Sequence, residues 1–228
     1  MDGESVGIAT SLGFLAVALA FLSARGVVRF IRTRATAQIA WGVGLGFGAA
    51  AMAVELVAYV GIVSSLLLQF YVFFSAAIVG VLSVGSARAF RRDGFARSYT
   101  AYTVAACALV AAFSFTTPMS TSMVTSGIVT GNPPLLLLVL SSLVTVPATI
   151  VLLTAAVLSL RRSFRWRGLL MVSGACVLGA GGAFYIASFP VILYYAEFVG
   201  ILMLFIGLVD LTKFSVASPL ARPNERTA

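Results

Sequence analysis

Two carboxylates stand inside long apolar runs of this chain, Glu55 and Glu197, and the amide Gln69 stands in a third. A charged side chain at the centre of a membrane span costs about 2.5 to 3.5 kcal/mol on insertion scales, so each needs a reason to be there. Stepping back from Glu55 by four, seven and eleven residues meets Ala51, Gly48 and Gly44. That stripe of small residues lets helices approach closely, so Glu55 is expected to point into a bundle. Gln69 shares a helical face with Ser65, Ala76, Gly80 and Ser83, and Glu197 shares one with Tyr194 and Gly200. At 1.5 Å per residue the three groups lie about 8 to 10 Å below the same end of their helices. They are expected to meet in one cluster, with Tyr59 one turn above Glu55.

No Arg or Lys falls at that depth. Carboxylates in such a place are protonated, share a proton or hold a cation. The chemistry this implies is proton or cation coupling, or a pocket for a small polar solute. A bland alternative is a pair of protonated acids bonded to backbone, Tyr or Gln.

Other chemistries are poorly supplied. The chain has no histidine, which removes His-ligated haem, His-ligated metal sites and His-dependent triads. Its two cysteines, Cys107 and Cys176, are far apart in apolar runs, so neither a redox motif nor a zinc site is supported. Phosphate-binding loops, dinucleotide fingerprints and nucleophile elbows are missing as well. No enzyme activity, cofactor or metal is expected. Asp210 and Lys213, three apart on one helix, read as an ion pair at the membrane boundary.

The elements that position these groups follow from composition. Of 228 residues, 61% are apolar and only 10% charged. Soluble domains carry about 25% charged residues, so a soluble or disordered chain is excluded. Seven stretches approach the 20 or so apolar residues of a membrane helix: 6–24, 35–60, 62–84, 99–116, 134–160, 168–188 and 191–211. They are continuous, where barrel strands would alternate. The expected fold is an all-α bundle of seven membrane helices, residues 1–217, with a short tail at 218–228.

The net charge of +8 comes from fourteen Arg and one Lys. Arg25, Arg29, Arg32 and Arg34 follow the first stretch. Arg88, Arg91, Arg92 and Arg97 follow the third, Arg161, Arg162, Arg165 and Arg167 the fifth, and Lys213, Arg222 and Arg226 the seventh. Basic residues favour the cytoplasmic side, which puts the N-terminus outside and the C-terminus in the cytoplasm of a multi-pass protein of the cell membrane. The same charges suit anionic lipid headgroups, and their even spread over four loop ends argues against nucleic acid. The acidic start, Met1 to Ser5, lacks the basic region of a cleavable signal, so the first helix is expected to be a retained anchor.

Five further features carry expectations. The uncharged Ser/Thr/Gly/Pro-rich connection 117–133 is expected to be mobile or a small lid. Pro147 is expected to kink the fifth helix, with Ser141, Ser142, Thr145 and Thr149 helping to satisfy freed carbonyls. Trp41, Trp166, Tyr99 and Tyr102 read as an interfacial aromatic belt. The Gly-rich second and sixth helices offer packing faces for a second copy or a membrane-complex partner. A weak echo between 71–90 and 195–214 suggests a three-plus-one-plus-three repeat.

Seven helices, an outside N-terminus and a lysine on the last helix resemble the microbial opsins, with a short echo in Ser188-Phe189-Pro190-Val191 and in Asp210 and Lys213. That resemblance implies a retinal Schiff base at Lys213. The position of Lys213 speaks against it, because it lies about 34 Å along the helix from Pro190, at the membrane surface. The Asp-to-Lys spacing is three where the opsins have four, and the third helix lacks their Arg and aspartate counter-ion. The leading expectation is therefore a small transporter or channel using Glu55, Glu197 and Gln69. The alternative is a subunit of a larger membrane complex, or a seven-helix sensor without a retinal lysine.

Overall fold

The computed structural model describes residues 3–89, 93–125, 128–129 and 133–162, with helical positions at 169–170, 173–174, 177, 199–203 and 206. Five helices follow one another: α1 (Gly3–Thr33), α2 (Thr36–Tyr59), α3 (Ser65–Ala89), α4 (Asp93–Thr116) and α5 (Leu135–Arg162). Each is long and apolar enough to cross a membrane, with spans of 23 to 28 residues. At 1.5 Å per residue these exceed the hydrocarbon thickness of about 30 Å. The sixth and seventh expected spans, the repeat echo at 195–214 and the tail lie largely or wholly outside the described residues.

Four helices outrun their apolar stretches, α5 by ending at Arg162 and so carrying Arg161 and Arg162. α1 continues to Thr33, so Arg25, Arg29 and Arg32 ride on its last turns instead of following it. α3 likewise reaches Ala89 and carries Arg88, and α4 begins at Asp93 and carries Arg97. Backbone hydrogen bonding does not stop where apolarity does. Arg is a good helix former, and its charge favours a helix C-terminus. α1 ends at Arg34, whose φ of 55° is the left-handed ending most helices give to glycine.

α2 and α3 are the interior helices, with 44% and 39% of their spans buried, against 17% for both α1 and α5. α1 lies on α2, and α3 is flanked by α2, α4 and α5. The α1–α2 seam is closed by Leu12, Leu15, Leu19 and Met52, and the α3–α4–α5 junction by Ala76, Ala106, Val110 and Val144. Trp41 and Tyr99 are not belt residues: both are buried, Trp41 against Gly85 and Tyr99 in a cluster with Val84 and Ala87. Trp166 lies outside the described residues.

Of the two alternatives expected for the connection between α4 and α5, the described residues fit the small lid. A one-turn 3-10 helix (Thr121–Met123) leads into β1 (Val124–Thr125) and β2 (Ile128–Val129), paired antiparallel with Val124 opposite Val129. Among the described residues this ribbon of two short strands is the strand structure, and the rest is helix and short connections. Its apolar side chains are seated in the bundle: Met119, Met123 and Val129 pack with Ala58, Leu68, Val72 and Leu137. The segment is a folded cap over the end of the bundle opposite the arginines.

α5 runs unbroken through Pro147. Proline has no N–H to give to the carbonyl four residues back, that of Leu143. The phenol of Tyr102 on α4 supplies it, donating to Leu143 O at 2.6 Å. The nearby hydroxyls do something else: Ser142 and Thr149 donate to their own i−4 carbonyls, Leu138 O and Thr145 O, each at 2.8 Å. Tyr102→Phe is expected to cost about 1–3 kcal/mol by orphaning that carbonyl. Thermal unfolding in detergent checks it, and the loss should vanish in a Pro147→Ala background, where a backbone N–H takes over.

Candidate functional site

Glu55 is the most deeply buried ionisable group among the described residues, at 1% exposure. The small-residue stripe beneath it behaves as its spacing predicts. A Cβ on Gly44 would strike Leu82 of α3, and one on Gly48 would meet both Ile78 of α3 and Leu19 of α1. Glu55 therefore sits on the line where α2 is gripped by α1 on one side and α3 on the other. It is four residues from the end of α2, about 6 Å in depth and shallower than the apolar run suggested. One turn further out, Ala58 is fully buried in the cap cluster.

Tyr59 is one turn from Glu55 but belongs to the other side. It packs with Leu56 and Met52 onto the α1 cluster of Leu12, Leu15 and Leu19. A step of four residues turns the helix about 40°, which is enough to pass from one groove to the next.

Gln69 is buried on the face of α3 that its spacing predicts, and that face meets α4, the cap and, at Ala76 and Gly80, Val144 of α5. Its Nε2 donates to Thr117 O at 2.8 Å, and its own backbone carbonyl accepts from Ser114 Oγ at 2.8 Å. Ser65 Oγ accepts from Met119 N at 2.8 Å. Ala76 packs with Ala106 and Val110, and Gly80 faces Thr103 and Cys107. At the arginine end of the same face Ser83 Oγ shares a 2.7 Å hydrogen bond with Tyr99 OH. Gln69 is thus a clamp between α3 and the start of the cap.

Gln69→Leu would leave the Thr117 carbonyl without its donor, at an expected cost of about 1–3 kcal/mol. The check is a lowered unfolding temperature in detergent. Unchanged stability would return the amide to the list of free ligand groups.

Glu197, Tyr194, Asp210 and Lys213 lie outside the described residues, as does Cys176. Ser114 escaped the sequence reading although a signal existed. Tyr99, Thr103, Ala106, Val110 and Ser114 fall on one face of α4, and all five are buried. Among the described residues no group of three His, Cys, Asp or Glu side chains gathers as a metal site.

Five membrane-length helices, an interior pair of small-residue helices and a carboxyl buried on one of them are the architecture of a polytopic α-helical membrane protein. Compared with protein families, curated proteins and solved structures, the chain matches none.

Proposed function

We propose that this protein is a small transporter or channel for protons, cations or a small polar solute, and that Glu55 is the group that takes up the proton or holds the ion. One observation carries the reading: a carboxyl at 1% exposure inside a membrane-spanning helix. Ionisable groups in such places mark ion and substrate pathways, because their burial is otherwise only a cost. In this reading the expected cluster is narrower. Gln69 is engaged as a clamp, which leaves Glu55 as the reactive group among the described residues, to be joined by Glu197 and Tyr194 of the seventh span in a full seven-helix arrangement. The arginine ends face the cytoplasm and its anionic headgroups in this reading, and the cap faces outward.

Reconstitution into liposomes with an internal pH dye and a panel of cation gradients tests it. Dissipation of a gradient faster than in protein-free liposomes is expected; none under any gradient would remove the reading. The second reading, a subunit of a larger membrane complex, is favoured by the outward faces of α1 and α5, where Val17, Phe21, Leu135 and Val146 stand exposed. An obligate partner that co-purifies in mild detergent would support it.

A further inference from the structure

We propose that Tyr71 and Ser75 of α3 are the second half of the Glu55 site: two hydroxyls that face the carboxyl across the seam between α2 and α3 and share with it the proton or cation it takes up. The proposal rests on Glu55 being the exchanging group, and it adds which side chains complete its site.

α2 and α3 run antiparallel and meet along two interleaved rows. In the first row Trp41 lies against Gly85, and Gly48 lies against Ile78. A step of seven residues is about two turns, so it returns to the same face of a helix. The next step takes α2 from Gly48 to Glu55 and α3 from Ile78 to Tyr71. In the second row Gly44 lies against Leu82, and Ala58 and Leu68 share one buried cluster. Midway between those two levels stand Ala51 and Ser75. The register therefore sets Tyr71 opposite Glu55, and Ser75 about 6 Å further toward the arginine end. Observed contacts bracket the site on both sides, at Gly48 and Ile78 inward and at Ala58 and Leu68 outward.

The seam changes character at this one level. Inward of it, small residues of α2 take up large apolar ones of α3, Gly44 with Leu82 and Gly48 with Ile78. Around Glu55 the facing positions of α3 become Ser and Tyr, both half-buried. The Tyr71 ring packs against the cluster of Ala58 and Leu68, which begins just outward of Glu55. Helical side chains lean toward the N-terminus of their own helix. Because the two helices are antiparallel, Glu55 leans toward the arginine end and Ser75 leans toward the cap, so the two converge. A hydroxyl donates to a carboxylate and accepts from a protonated carboxyl. The pair can thus serve Glu55 in both states of an exchange without bringing a charge into the bundle. Carboxylate, phenol and hydroxyl oxygens are also the donors that hard cations take.

Cross-linking tests the placement independently of transport. With Cys107 and Cys176 replaced by Ser, Glu55→Cys is paired with Tyr71→Cys and the membranes are oxidised with copper phenanthroline. A protease site in the 60–64 connection reads the bond as two fragments held together until reduction. Ala58→Cys with Leu68→Cys, from one cluster, sets the full yield, and Glu55→Cys with Ala76→Cys, which packs against α4, sets the background. The Tyr71 pair is expected to reach at least about half of the full yield. The role is tested in liposomes with separate proton, sodium and potassium gradients. Tyr71→Phe and Ser75→Ala are each expected to raise the half-saturating concentration of the ion that moves by about tenfold, while the maximal rate and the unfolding temperature hold. Ser75→Thr keeps the hydroxyl and is expected to behave as the native protein. A background yield for the Tyr71 pair overturns the placement. An unchanged half-saturating concentration removes that residue from the site, and a fall in unfolding temperature in step with flux makes it a packing residue. Native flux that neither variant alters would sink the proposal and leave the transport reading standing. No flux under any gradient, with full cross-linking, would remove the transport reading and the ligand role with it, and leave the seam as packing.

Discussion

Glu55→Gln is expected to lower flux in liposomes at least about tenfold, to near the level of protein-free vesicles, while the protein stays folded. The substitution keeps the side-chain volume and its hydrogen-bonding capacity and removes only the ionisable proton. Because the change keeps the volume of a side chain that is 1% exposed, the packing of the stripe below it, where Gly48 meets Leu19 and Ile78, should survive unchanged. Replacing a buried ionisable group by its neutral isostere also spares desolvation, so the unfolding temperature is expected to hold or rise. Dye-monitored proton flux and thermal unfolding are the two measurements. Full flux in Glu55→Gln would sink the coupling role, whereas a collapse of stability together with flux would make Glu55 a structural residue.

Gly42→Leu is expected to part α1 from α2 and to abolish a monodisperse folded species. At this crossing the two backbones touch. A Cβ on Gly26 would lie 2.9 Å from Gly42 Cα, and one on Gly42 would lie 3.1 Å from Val27 N and 3.2 Å from Ser23 O. Those obstacles are main-chain atoms, which cannot swing aside as a side chain can. The same approach lets Ser23 Oγ donate to Gly42 O at 2.7 Å, so separation would also break an interhelical hydrogen bond. A single methyl, as in Gly42→Ala, should cost about 1–3 kcal/mol, the usual range for overpacking, and leucine considerably more. Gly7→Ala, where a Cβ meets nothing within 4 Å, is the matched control and should be near neutral. Size-exclusion profiles and unfolding temperatures in detergent decide it.

The two site residues show how much was legible before the fold was known. The inward direction of Glu55 followed from Gly44, Gly48 and Ala51 at helical spacing, and in the structure Ala51 is buried, Gly44 lies against α3 and Gly48 against α3 and α1. The buried face of Gln69 was legible in the same way. Its partner was not, because Thr117 O is 48 residues away in the chain and belongs to a loop. For a related reason the sequence left the cap open between a mobile loop and a small lid. Its Ser, Thr, Gly and Pro content describes a loop, and the three apolar side chains that anchor it among four elements are too few to colour that composition. The hydroxyls around Pro147 were weighed as partners for its freed carbonyl, yet the donor came from Tyr102 on the neighbouring helix.

By itself, the sequence determined that these five segments are membrane-length helices, where their basic ends lie, and which faces of α2 and α3 turn inward. Those properties depend on the 3.6-residue period and on the cost of placing charge in lipid, both local to one helix. Only the tertiary structure decided which helix covers which face, and so whether a polar group becomes a clamp, as Gln69 does, or a sealed carboxyl, as Glu55 is. Apolar faces are nearly interchangeable in their preference for burial. The choice between neighbours rests on close fit and on single hydrogen bonds between residues far apart in the chain.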